Sequence, residues 1–146
     1  MKLTDLAIGD LILINNTPHK IQAIDSIDAE ILADDELYYV GEDRCHSEDK
    51  IEGIPITPEI LEKNGWNLDT VLQCYTSTPL WLYGEGIINL LLQFPSKQSA
   101  GSLEIFDNQK IRSLFDFTWK DRLYIHELQH TLRLCGLDKL ADNFKV

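Results

Sequence analysis

The chain has 146 residues, of which 44% are apolar and 25% are charged, and this composition excludes collagen-like, low-complexity and disordered proteins. Its formal net charge of −11 disfavours generic binding to DNA or RNA, because phosphate backbones are bound through Lys and Arg. Three widely spaced cysteines exclude a disulfide framework, and no apolar run approaches the ~18 residues that a membrane helix needs.

The organisation expected from this composition is one soluble α+β domain over residues 1–146. A β-meander over residues 1–50 and a helix–sheet–helix over residues 51–146 form a possible sub-structure. An acidic residue, Asp5, stands where a signal peptide has its apolar stretch, so we expect a cytoplasmic protein without a membrane anchor.

Two apolar runs separated by a turn are found near the start of the chain. Leu11–Ile14 and Lys20–Ile24 predict strands, since the residues of Asn15–Pro18 supply turn conformations. Asp28–Leu32 and Glu36–Val40 predict two further short strands. Together these strands predict a curled sheet that resembles SH3-like barrels in architecture, which indicates nothing about function.

A short helix is predicted over Pro58–Lys63. Thr57 can cap it, Pro58 suits the first helical position, and Asn64-Gly65 ends it. Further strands of the antiparallel sheet are predicted over Thr70–Tyr75, Leu80–Tyr83, Ile87–Phe94 and Leu103–Phe106.

The last predicted element is a helix that begins near a capping-box spacing at Thr118–Asp121 and ends at Gly136. Six residues fall on one face of this helix at 100° per residue. They are Tyr124, Ile125, Leu128, Thr131, Leu132 and Cys135. We expect this face to pack on the sheet.

The sequence HELQH at residues 126–130 matches the H-E-x-x-H pattern of zinc proteases. In that chemistry His126 and His130 would hold zinc and Glu127 would activate its water, which makes a zinc-dependent hydrolase the alternative function. A catalytic zinc takes a third protein ligand, but the chain lacks the Gly and His of the metzincin continuation and has no Glu after Glu127. We therefore expect no catalytic residue, no metal and no cofactor, and a polar stripe of this helix facing solvent.

Two segments carry a resemblance to a known family. Gly53–Trp66 and Tyr124–His130 resemble the motifs of a large family of small uncharacterised proteins from anaerobic gut-type bacteria, their phages and mobile elements. The family pattern admits Gln at the position of Glu127 and Asn at the position of His130. The resemblance therefore implies that the shared helix is architectural, and it implies a phage or mobile-element setting rather than a mechanism.

Negative charge is concentrated in one part of the chain. Between Asp25 and Glu62 there are 13 acidic residues and only two basic ones, so this stretch carries the whole net charge of −11. Such a surface is solubilising, and it also suits docking of a basic protein. The expected function is a non-enzymatic interaction protein that binds a basic protein partner, with its oligomeric state left open. The eight acidic residues expected to bind the partner are Asp34, Asp35, Glu36, Glu42, Asp43, Glu48, Asp49 and Glu52.

A second alternative is a phage counter-defence protein that sequesters a nucleotide signal. It would need a cationic pocket, and the electrically neutral remainder of the chain offers five basic residues for one. They are Lys97, Lys110, Arg112, Lys120 and Arg122.

Overall fold

The computed structural model describes residues 3–26, 28–40, 49–71, 73–82, 86–94, 101–107, 110–116 and 122–146. The chain divides into two compact units. The amino-terminal unit comprises Met1–Pro55 and Tyr124–Phe144, and the central unit comprises Ile56–Leu123 and Lys145–Val146. Both units contain antiparallel strands and helical residues, which confirms the predicted α+β class.

The amino-terminal unit is built on one five-stranded antiparallel sheet with the order β4-β3-β2-β1-β5. A short 3-10 turn, Leu3–Asp5, precedes the first strand. The strands are β1 (Leu11–Ile14), β2 (Thr17–Asp25), β3 (Glu30–Ala33), β4 (Glu36–Tyr39) and β5 (Ile51–Gly53). The four predicted strands are present, β1 with the predicted bounds and the other three with shifted bounds, and β5 is an addition. The predicted SH3-like curl is not found among the described residues, because no ladder joins the edge strands β4 and β5.

Two-residue turns join the paired strands of two hairpins. Asn15 and Asn16 connect β1 to β2 with φ of 51° and 68°, and Asp34 and Asp35 connect β3 to β4 with φ of 49° and 66°. Type I′ turns need positive φ at both central residues, and Asn and Asp adopt it more readily than other non-glycine residues. These residues therefore fix the register of the two hairpins.

The core of the amino-terminal unit follows the alternation of its strands. Ile12 and Ile14 of β1 face the same side of the sheet as Ile31 of β3, and all three are at most 1% exposed. Since successive side chains of a strand point to opposite faces, the apolar residues at alternate positions produce one buried face. The complete cluster is Leu6, Ile12, Ile14, Ile21, Ile31, Ala33 and Ile51.

Two helices close the amino-terminal unit, α2 (Ile125–Leu134) and α3 (Asp138–Asp142). The predicted capping box at Thr118–Asp121 lies outside the described residues, and the helix begins later, with Tyr124 as its N-cap. The predicted end is confirmed, since Gly136 follows the helix with φ of 74°. Helix α2 contacts β1, so the expected contact of the C-terminal helix with a sheet is present.

The central unit contains helix α1 (Pro58–Lys63) and a second antiparallel sheet. Helix α1 has the predicted bounds, and the Ile60 amide donates to Thr57 Oγ1 at 3.4 Å. The strands are β6 (Trp66–Asp69), β7 (Cys74–Ser77), β8 (Leu80–Leu82), β9 (Gly86–Gln93), β10 (Ser102–Asp107) and β11 (Lys110–Asp116). Their order is β11-β10-β9-β7-β6, and β8 pairs with β9.

Large apolar side chains fill the core of the central unit. The fully buried ones are Leu61, Trp66, Ile88, Leu90, Leu92 and Leu103. They come from α1 and from strands β6, β9 and β10, so the short helix covers a part of its own sheet. No helix within the described ranges is long and apolar enough to cross a membrane.

Candidate functional site

Acidic side chains surround the tip of the β3–β4 hairpin. Asp34 and Asp35 form its turn and Glu36 begins β4, and all three are exposed. The positive φ of the two turn residues is required by the two-residue connection, so the hairpin itself places consecutive carboxylates at its tip. Local sequence therefore fixes where this charge lies.

Tyr38 of β4 binds one of these carboxylates directly. Its hydroxyl donates to Glu36 Oε2 at 2.8 Å. This hydrogen bond raises the pKa of the Tyr38 phenol above its ordinary value of 10.0, with further contributions from partial burial and from the negative charges of Glu36, Asp34 and Asp49. Asp34, Asp35, Glu36 and Asp49 are called the acidic face from here on.

Hydrogen bonds hold the acidic face in place. Asp34 Oδ2 lies 2.9 Å from Nδ1 of His19, whose ring lies 5.2 Å from that of Tyr38. The Asp49 carboxylate accepts from the Asn15 side chain at 2.8 Å and from the Tyr39 amide at 3.0 Å. The charges are therefore presented at defined positions, at a lower entropic cost of ordering on binding.

Asp35 and the four predicted partner-binding residues outside the acidic face have different surroundings. Gln22 holds Asp35 through two hydrogen bonds, at 2.9 Å and 3.3 Å. Glu52 lies in β5 and forms an ion pair with Lys50 at 2.9 Å. Glu42, Asp43 and Glu48 lie outside the described residues.

His130 of the HELQH motif binds a buried carboxylate. Its Nε2 lies 2.7 Å from Asp10 Oδ2, and Arg133 Nη1 donates to Asp10 Oδ1 at 2.8 Å. The Asp10 side chain is 0% exposed, and it also accepts from the Ala7 amide at 2.8 Å. Arg133 continues the network to Asp142 Oδ1 at 3.1 Å. A buried carboxylate of this kind is stable only with such partners.

Gln129, also within the motif, joins helix α2 to backbone groups. Its Oε1 accepts from the Leu11 amide at 2.9 Å, and its Nε2 donates to the carbonyls of Gly9 at 3.2 Å and Ala141 at 2.9 Å. The residue is fully buried. Two consecutive residues of the motif, Gln129 and His130, thus attach α2 to the segment that leads into β1.

His126 is buried, so the prediction that this polar stripe of the helix faces solvent is wrong at this position. Its exposure is 6%, and its ring stacks with that of Tyr124 at 5.9 Å and meets that of His130 edge-on at 6.1 Å. A Cβ at Gly53 would lie 2.9 Å from His126 Cε1, so the ring lies where a larger residue in β5 would have a side chain. His126 is buried because its ring closely approaches Gly53, and helical periodicity alone does not reveal this contact.

Glu127 has a local role in the helix. Its Oε2 accepts from the Tyr124 amide at 3.2 Å, as an N3 glutamate does at a helix start. Among the described residues there is no group of three or more His, Cys, Asp or Glu side chains arranged to hold a metal ion. Cys135 is partly buried, and burial raises the pKa of its thiol, which disfavours the thiolate that binds metals.

Three of the five basic residues of the nucleotide alternative lie in the described part of the central unit. Arg112 lies in β11 and Arg122 directly precedes Leu123, and both are exposed. Lys110 is the first residue of β11. Lys97 and Lys120 lie outside the described residues.

Sequence reasoning missed the buried network around Asp10. Its partners His130 and Arg133 are 120 and 123 residues away, and no local pattern links them. The one available signal was an acidic residue placed directly before an apolar strand, where an exposed turn residue is the usual interpretation. Comparison with known proteins finds no matching family model, no matching curated protein and no matching solved structure.

Proposed function

We propose that this chain is a non-enzymatic, cytoplasmic interaction protein of phage or mobile-element type that binds a basic protein partner through its acidic face. The observation that carries the proposal is the set of carboxylates held beside the β3–β4 hairpin. Glu36 accepts from the Tyr38 hydroxyl, Asp34 contacts His19, whose ring lies beside that of Tyr38, and Asp49 accepts from the Tyr39 amide. Carboxylates gathered at one site produce a local negative potential, which attracts Lys and Arg of a partner and accelerates association.

The charge of the whole chain supports the same function. The segment between Asp25 and Glu62 contributes the entire net charge of −11, and the acidic face lies within it. A field of this sign repels phosphate backbones and anionic lipid headgroups, so the proposal includes neither nucleic acid nor membrane as a partner. The partner is therefore a protein with a basic surface.

The contacts of the HELQH motif support a role without catalysis. His130 binds Asp10, Gln129 binds backbone groups, and Glu127 caps its helix. The contacts of His130 and Gln129 dock α2, and that of Glu127 stabilises the start of the helix, so the motif has a structural explanation that needs no zinc. No observation in the described residues favours the hydrolase or the nucleotide-binding alternative over it.

A pull-down at two salt concentrations tests the proposal. The immobilised protein is mixed with a bacterial host lysate at low salt and at 0.5 M salt, where the Debye length falls from about 10 Å at 0.1 M to about 4 Å. We expect basic proteins to be retained at low salt only. Asp34→Asn/Glu36→Gln keeps the hydrogen-bonding geometry, because amide oxygens can still accept, and should abolish retention.

Glu62→Gln/Asp116→Asn is the matched control. It also removes two negative charges, but from exposed positions of the central unit, so it should retain the partner as the wild-type protein does. Equal retention at both salt concentrations, no retention at either, or equal loss in the two variants would each contradict the proposal.

A further inference from the structure

We draw no further inference here: the strongest candidate, a cavity of about 340 Å³ in the amino-terminal unit between strand β2, the β3–β4 turn and helix α3, is lined by three charged residues, Lys20, Asp34 and Asp142, that each already have a partner within the fold, so nothing in the structure shows what would fill it.

Discussion

Replacing Asp10 with asparagine removes the negative charge of a side chain that is 0% exposed. That carboxylate contacts the side chains of His130 and Arg133 in helix α2. An asparagine oxygen at the position of Oδ2 can still accept from the Ala7 amide and face His130 Nε2, but the NH2 group then stands at the position of Oδ1 and faces the Nη1 donor of Arg133. Removing one partner of a buried ion pair costs about 3–5 kcal/mol. Since Arg133 keeps Asp142 as a second partner, we expect a loss of about 3 kcal/mol in the free energy of unfolding.

Urea unfolding followed by circular dichroism measures that loss, and amide hydrogen exchange locates it. Exchange should accelerate in β1 and α2, the two elements that Asp10 joins, and remain unchanged in the central unit. Asp142→Asn is the matched control, because its side chain binds the same Arg133 but is 52% exposed. It should cost less than about 1 kcal/mol. A similar cost for both variants would refute the argument that burial makes the Asp10 contacts decisive.

Four further predictions concern Gly53, the zinc content of the protein, the titration of Tyr38 and the alkaline stability of the fold. Gly53→Ala should lower the unfolding free energy by about 1–3 kcal/mol in calorimetry, because the new methyl carbon would lie 2.7 Å from Tyr124 Cδ1 and 2.9 Å from His126 Cε1; an unchanged midpoint would contradict this packing. Elemental analysis of protein purified without a histidine tag should find no stoichiometric zinc, and near-stoichiometric zinc that is lost in His126→Ala would reverse the interpretation of the motif. Tyr38 should titrate above its ordinary pKa of 10.0 in an NMR titration, and Glu36→Gln should return it toward that value. Because the pKa of Tyr38 is raised in the folded state, its stabilising contribution is complete below the unfolded-state pKa and is lost as the pH rises through the folded-state pKa; a pH-independent alkaline stability would contradict this.

Elements with local signals were predictable from the sequence. Strand β1 and helix α1 have the predicted bounds, because an unbroken aliphatic run defines the first and a Thr-Pro start with an Asn-Gly end defines the second. Strand β11 was missed, because Ile111 and Phe115 are exposed and its pairing with β10 contains a bulge, so no apolar alternation marks it. Strand β5 has three residues, too few to show a period.

The role of the HELQH motif could not be read from its own residues. A helix with histidines at i and i+4 presents both on one face, and this geometry suits a metal and a buried carboxylate equally well. What decides between them is the surroundings, and here His130 meets Asp10 from a segment 120 residues earlier. Long-range pairing of this kind is a property of the fold, which sequence spacing does not encode.

Comparing the two hairpins of the amino-terminal unit shows which residue types the turns themselves require. Asn15-Asn16 and Asp34-Asp35 adopt nearly the same φ values, so a neutral pair satisfies the turn as well as an acidic pair does. Adjacent carboxylates repel each other, and the turn geometry therefore gives no reason to place two aspartates at the second tip. The Asp34 and Asp35 carboxylates have contacts of their own, with His19 Nδ1 and Gln22 Nε2. Under the proposed function they also add to the negative potential beside Glu36 that attracts a basic partner.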